Sequence, residues 1–506
     1  MTRIYQKHIA LFSILFFLFT SCEKELSTSP SNSVSDEKLF TTVENIETVL
    51  NGTWSYMNDT YFTYANPGYG AILRTSDAMG SDAVINPSKY GFPAAYSFTQ
   101  MQINTDTRVS AFWTLLYKVI DNCNNIITRI DASTGSQEKK DQIKGQALAL
   151  RADSYLTLAT FYQFTYLKDP EAKAVPIYTE PAKPTSEGNP KASLKEVYNR
   201  IITDLNDAQG LLSKYSRPAS AKYKINTDVV KGLLARAYLN TGNWTEAASN
   251  AAEARKAYPL MSATEYTAGF NSLSNSEWIW GHGQTTDQSN ASYNFHFLDV
   301  SSESSYYYSF MADPYFKDLF DTNDIRSQLF LWDGLKGREG SLRYQKFKFR
   351  QNQTADIVLM RSSEMVLIEA EAKARGGFLP EAAQRLNELR TIRNASLLDV
   401  SGKGPADVID AILIERRKEL WGEGFALSDI LRTQGKVVRK AFNTGGANPA
   451  PVYVTITNPE GNTVQVPGIG HTVLVLPDKT PFAVNSPYYL FTIPELEVNN
   501  NPHLNN

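Results

Sequence analysis

Two stretches of the chain, 135 positions apart, repeat one another, and this constrains the fold more than any other feature. Residues 235–248 read ARAYLNTGNWTEAA and residues 370–383 read AEAKARGGFLPEAA, with six of fourteen positions identical. The shared residues are Ala235/Ala370, Ala237/Ala372, Gly242/Gly377, Glu246/Glu381, Ala247/Ala382 and Ala248/Ala383. Alanines let two helix backbones approach closely. The glycine ends the first helix in a left-handed turn, where a Cβ is costly. Each stretch therefore predicts two helices joined by a tight turn. Further helical periodicity runs through residues 113–130, 141–164 and 193–213. Ser193 followed by Glu196 predicts a capping box at the start of the last of these.

The paired helices follow the logic of a tetratricopeptide unit, and the offset is near four periods of about 34 residues. Residues 270–349 interrupt the pattern with no clean repeat. The expected fold is mostly α: tetratricopeptide-like helix pairs forming a superhelical scaffold, with long loops and small β-hairpins. Three zones read as irregular. Residues 61–103 carry Tyr64, Tyr69, Tyr90, Phe92, Tyr96 and Phe98 among Gly, Pro, Asn and Asp. Residues 269–315 carry Trp278, Trp280, Tyr293, Phe295, Phe297 and Tyr306–Tyr308, with a short strand expected at 277–280 and ordered loop elsewhere. Residues 443–487 predict a hairpin of 452–456 with 464–466, turning at Asn458-Pro459-Glu460-Gly461. Loops longer than about 15 residues in a compact chain are usually functional or disordered. These are too aromatic for disorder.

The amino terminus reads as an address. Arg3 and Lys7 precede an apolar run over 9–19, closed by Thr20-Ser21-Cys22. This is a secretory signal over residues 1–21, too short to span a bilayer at about 20 residues per span. Cys22 resembles a lipobox cysteine, expected to be diacylated as the first mature residue, although Phe19 stands where an aliphatic residue is commoner. Residues 22–35, with the stretch STSPSNSVS, read as a flexible tether. Glu23 and Glu25 resemble a surface-export signal of bacterial lipoproteins. Residues 36–506 are expected to form one domain, in parts of about 36–270 and 271–506.

Charge and chemistry then exclude partners. Fifty basic against 53 acidic residues give a net charge of −3, with no long-range attraction for a phosphate backbone, so no nucleic acid is expected. Of the two cysteines, Cys123 lies on the apolar stripe of 113–130 and reads as core. None of the five histidines has the helical-turn spacing of a zinc site, and neither a phosphate-binding Gly-rich loop nor a Gly-x-Ser-x-Gly elbow is present. No cofactor, metal or catalytic residue is expected. Asp77 and Asp82 suit a sugar contact, yet two acids in a loop do not define the acid and base of a glycosidase.

Cys22 after the signal, 360–376 (MRSSEMVLIEAEAKARG), 412–432 (ILIERRKELWGEGFALSDILR) and 490–506 (LFTIPELEVNNNPHLNN) carry a joint signature. Together these four places resemble the SusD/RagB family of nutrient-binding outer-membrane lipoproteins. Ala426 departs from the arginine or other large polar residue common at that point, and Trp421-Gly422 from a Phe-containing step. Within 412–432, Glu415, Arg416, Arg417 and Glu419 imitate an active site but read as ion pairs clamping helices.

The resemblance implies a surface protein, anchored to the outer membrane by lipid, that binds glycans or oligosaccharides and delivers them to a SusC-like TonB-dependent transporter. A receptor for a non-sugar nutrient such as peptides and a surface glycosidase are the alternatives. It also implies a site between the amino-terminal zone and the mid-chain insertion: Arg74, Asp77, Asp82, Tyr90 and Tyr96, with Trp280, Tyr293, Tyr306 and Tyr307 opposite. Aromatic faces suit the C–H faces of a sugar, and polar groups suit its hydroxyl rim.

Overall fold

The computed structural model describes residues 36–60, 66–85, 90–286, 293–301, 305 and 307–504. The amino-terminal leader, Cys22, the tether, Tyr61, Tyr64 and Tyr306 lie outside the described residues, as does the side chain of Tyr293.

Helices carry the scaffold. Thr42 caps α1 (Val43–Asn58) by accepting the Asn45 N–H, and α2 (Tyr69–Ala78) follows. The long helices α3 (Thr107–Arg129) and α4 (Gln137–Phe161) pack on each other, and α4 packs on α5 (Leu194–Leu211). Ser193 and Glu196 form the expected capping box at the start of α5. The first repeat forms α6 (Thr227–Thr241) and α7 (Trp244–Arg255), with Gly242 between them at φ +78°. After the short α8 (Tyr293–Leu298), the second repeat forms α9 (Ser362–Arg375) and α10 (Leu379–Ile392), with Gly377 at φ +87°. Then come α11 (Pro405–Leu420) and α12 (Ala426–Arg432). Helix α7 packs against α9, so the two repeats are neighbours despite their separation in sequence. Ala247, Ala251, Ala254, Ala370 and Ala374 are all fully buried, which is why small residues recur in these helices.

Strands are few and short. β1 (Ala83–Ile85), β3 (Phe310–Ala312), β5 (Leu342–Tyr344) and β4 (Phe330–Trp332) form one antiparallel sheet in that order. β2 (Trp278–His282) pairs with β6 (Ile357–Arg361), and β7 (Tyr453–Thr457) with β8 (Thr463–Pro467). The last pair is the expected hairpin, turning at Gly461 with φ +83°. One continuous apolar core includes Val43, Leu116, Leu205, Trp280, Phe310 and Phe491. Cys123 sits within it, and burial pushes its thiol up to about 12.

Two zones that read as loop are partly regular. Residues 61–103 contain α2, whose Arg74, Thr75, Ser76 and Asp77 disguise it. All four are buried: Arg74 and Asp77 bond to Gly422 and Gly424 in a distant turn, and the Ser76 hydroxyl accepts the Leu427 N–H of α12. The mid-chain insertion contains α8 and β3, whose Phe295, Phe297 and Phe310 are core.

Candidate functional site

Two of the rings singled out from sequence meet. Tyr90 and Tyr307 have centroids 5.3 Å apart at 39°. Tyr90 is 48% exposed and Tyr307 is half-buried. Their support is built from the layers beneath. Tyr307 stacks on Phe297 of α8 at 4.7 Å and 17°, and Phe297 meets Phe92 edge-on at 4.9 Å. Gly91 is needed at the joint: its φ is +112°, and a Cβ there would stand 2.4 Å from Phe297 Cε1. The Arg108 guanidinium lies 4.3 Å over Phe92 and donates to the Gly91 carbonyl at 2.7 Å, which holds the turn that carries Tyr90.

The other side of the pair is pinned by one carbonyl. His296 O accepts the N–H of Tyr307 at 3.1 Å, that of Tyr308 at 2.7 Å and the Ser305 hydroxyl at 2.8 Å. Burial lowers the His296 imidazole to about 4, so it is neutral at pH 7. Tyr308 has φ +26°, a strained backbone for a ring-bearing residue, of the kind that costs roughly 1–3 kcal/mol. Arg338 lies 4.0 Å over the Tyr308 ring and is itself held by Asp333 and the Val300 carbonyl. The result is a rim of rings over an aromatic base. It presents flat apolar faces and phenolic hydroxyls, and its charged neighbours are already paired.

The remaining sequence candidates stand elsewhere, mostly in the interior. Arg74 is buried on α2, donates to the Gly422 carbonyl and pairs with Asp77 at 3.2 Å. Asp77 accepts the Gly424 N–H at 2.9 Å; burial pushes its carboxyl up to about 6 against the opposing pull of Arg74. Asp82 is gripped by Arg417 through bonds of 2.6 and 3.0 Å. Tyr96 is buried, with its hydroxyl 2.8 Å from His471 Nδ1 and Arg439 over its ring. Trp280 is buried beside Trp54 and donates Nε1–H to the Tyr223 carbonyl. These five are therefore corrected to structural roles. Arg74 and Asp77 tie the amino-terminal part to the turn after α11 and Asp82 ties it to α11 itself, tertiary contacts no local pattern signals. Tyr293 opens α8, whose later turn supplies Phe297, and Tyr306 lies outside the described residues. Sequence reasoning placed Phe297 in the aromatic insertion without a role as a support, and missed Arg108 and Arg338, which no local pattern signals.

The charged motif of α11 is structural, as expected. Glu415 and Glu419 enter a buried network in which Arg326, Arg361, Arg393, Lys346 and Lys418 face Glu277, Asp324, Glu415, Glu419 and Glu423. Arg390 also holds Glu415 at 2.8 Å, so six cations face five carboxylates. Arg416 turns instead to Asp429 of α12, and Arg417 to Asp82.

Fold and site together define a class: a scaffold of helix pairs, closed by a buried ion-pair network, that presents a supported aromatic rim. Known proteins are similar to this chain in sequence and fold. Residues 31–239 match a family model described as starch-binding associating with outer membrane, and residues 332–506 match the SusD family model. A SusD-like carbohydrate binding protein from Bacteroides vulgatus ATCC 8482 is 44% identical, with a TM-score of 0.85 over 92% of this chain and 98% of that one. A SusD superfamily protein from Bacteroides thetaiotaomicron VPI-5482 is 22% identical, with a TM-score of 0.72 over 92% of this chain and 99% of that one. SusD-like protein P38 of Formosa agariphila is 23% identical over 85% of this chain and 92% of its own length. The chain belongs to the SusD/RagB family.

Proposed function

We propose that the protein is a non-enzymatic, surface-exposed lipoprotein, anchored through Cys22, that binds glycans or oligosaccharides. It hands them to a SusC-like TonB-dependent transporter in the outer membrane. The observation that carries the reading is the Tyr90–Tyr307 pair. Half-exposed rings on a rigid base suit the apolar face of a sugar, and their hydroxyls suit its rim. Tyr293 and Tyr306 belong to the same proposed site through their positions in the chain. The relative of 44% identity, described as a carbohydrate binding protein, supports the same class of ligand. Among the described residues, no helix is long and apolar enough to cross a membrane, which accords with a lipid anchor. A hydrolytic role lacks support from the loop acids, because both oxygens of Asp82 are held by Arg417 and both of Asp77 by the Gly424 N–H.

Calorimetric titration with a glycan panel tests the proposal. At least one glycan is expected to bind, and Tyr90→Ala or Tyr307→Ala to weaken it about three- to tenfold, the factor for ~0.5–1.5 kcal/mol per aromatic contact. Binding unaffected by either change would move the site elsewhere. Release of reducing ends would overturn the non-enzymatic reading.

A further inference from the structure

A polar groove of about 390 Å³ lies where the amino-terminal end of the chain enters the body. Thr41–Val43 is stitched to Thr134 there. The Thr134 N–H donates to the Thr41 carbonyl at 2.8 Å, and the Val43 N–H donates to the Thr134 carbonyl at 2.9 Å. The groove opens between Glu47 of α1, Lys139 and Gln142 of α4, and the loop 214–224. At 1.5 Å per residue, Glu47 stands about 6 Å along α1 from Val43. The groove is therefore beside the point at which the tether joins the body, and it shares no residue with the Tyr90–Tyr307 rim.

The loop is basic. Residues 214–224 read KYSRPASAKYK, with Lys214, Arg217, Lys222 and Lys224 and no acid. Arg217 turns inward and donates to the Lys224 and Ile279 carbonyls, and Lys222 donates to the Asn275 carbonyl. These bonds hold the loop, and neither charge meets a carboxylate among the described residues. Lys224 shares one acid with Lys139: Glu47 takes Lys224 on one oxygen at 2.9 Å and Lys139 on the other at 2.7 Å. Burial raises the Glu47 carboxyl, but the two lysines outweigh it and hold it below its ordinary value. The other acid of the lining, Glu138, is exposed and accepts from Gln142 at 3.3 Å. Lys214 is exposed, and its ammonium has no partner among the described residues. An ammonium carries three donors, so Lys139 and Lys224 keep donors that Glu47 does not use. The Tyr215 and Ser216 side chains add hydroxyls to the same wall. The lining is rich in charged donors and short of acceptors, which an oxyanion supplies.

We propose that this groove takes the phosphate of a membrane lipid headgroup and so seats the anchored protein on the membrane surface. Lys139, Lys214 and Lys224 receive the phosphate oxygens. The chain as a whole is net −3 and is not drawn to an anionic surface, so the attraction is local to this groove. The tether keeps headgroups at a high local concentration, so an affinity too weak to matter in free solution suffices. Tyr215, half-buried, and Tyr223, 36% exposed, lie close to Lys224. Phenol rings suit a boundary with one apolar and one wet side. The proposal rests on the reading of Cys22 as the lipid anchor, and the two fail separately. An acyl-free amino-terminal peptide in mass spectrometry refutes the anchor, and titration refutes the groove.

The test is calorimetric titration of the purified protein with three probes: dihexanoylphosphatidylglycerol below its micellar concentration, dihexanoylphosphatidylcholine, and inorganic phosphate. The phosphatidylglycerol is expected to bind about tenfold more tightly than the phosphatidylcholine, whose phosphate is already paired with its own cation, and at least as tightly as free phosphate. Raising the salt from 0.05 M to about 0.3 M is expected to weaken it at least threefold. Lys214→Glu, on an exposed side chain without a partner, is expected to abolish binding and leave the melting temperature and any glycan binding unchanged. Glu47→Gln frees Lys139 and Lys224 and is expected to tighten binding about threefold, a gain that misfolding does not produce. No binding of phosphatidylglycerol, equal binding of the two lipids, or affinity indifferent to both substitutions would overturn the proposal. Binding of inorganic phosphate without phosphatidylglycerol would overturn it too, by assigning the groove to a free anion.

Discussion

Glu419 offers the sharpest test of the view that the charged motif of α11 builds the fold. Its Oε1 accepts from Arg361 Nη1 at 2.7 Å and Arg393 Nη2 at 2.8 Å. Its Oε2 accepts from Arg326 Nη1 at 2.8 Å and Arg393 Nε at 3.1 Å. Glu419 and these three arginines are almost wholly buried. Burial alone would raise this carboxyl, but Arg393, Arg361 and Arg326 outweigh it and hold it well below the ordinary carboxylate range. Glu419→Gln keeps the shape and deletes the charge. Six cations, Arg390 among them, then face four carboxylates, and the amide NH₂ confronts guanidinium donors. Removing one partner from a buried ionic cluster costs about 3–5 kcal/mol, a large part of a typical stability of roughly 5–15 kcal/mol. Scanning calorimetry and denaturant unfolding at pH 7 measure the loss. The double variant Glu419→Gln with Arg393→Gln is expected to recover part of it, because it removes one of the cations left in excess. Lost glycan binding in a protein of unchanged stability would refute the structural reading, as would a loss below about 1 kcal/mol. The pH dependence carries the same sign. A depressed carboxyl contributes stability above the ordinary value near 4.3, and that contribution is lost as pH falls through its lower folded value.

Two further outcomes follow from the geometry. Burial, and then the neighbouring Asp82, push Asp313 up to about 7, so the folded state holds a proton that the unfolded state releases near pH 4. Its contribution to stability therefore falls as pH rises from about 4 to about 7; Asp313→Asn is expected to gain on the wild type between pH 5 and pH 8 in melting temperature, and parallel curves would contradict this. Gly91→Ala places a methyl against Phe297 at a positive φ. It is expected to tilt the base under Tyr307 and weaken glycan binding at least threefold by calorimetry, more than it lowers the melting temperature relative to Glu419→Gln. Unchanged affinity would show that the ring stack does not position the site.

Several elements were legible because their signals are local. The turns at Gly242 and Gly377, the capping box at Ser193 and the hairpin at Gly461 each depend on residues within a few positions. The amphipathic stripe of α3 placed Cys123 in the core for the same reason. Helix α2 was hidden because its polar face is buried. Arg74 and Asp77 looked like loop residues free to meet a sugar, and they instead bind Gly422 and Gly424 nearly 350 positions away.

The sequence by itself determined the helix pairs, their tight turns and the structural character of Glu415 and Glu419, since spacing along a helix dictates which residues share a face. Tertiary structure alone decided which tyrosines can reach a ligand. A tyrosine reads the same in sequence whether its ring is core or rim; Tyr96 and Tyr90, six positions apart, differ only in what folds over them. Burial is a property of surfaces brought together from distant parts of the chain, and for these rings those surfaces came from α8, Tyr307 and His471.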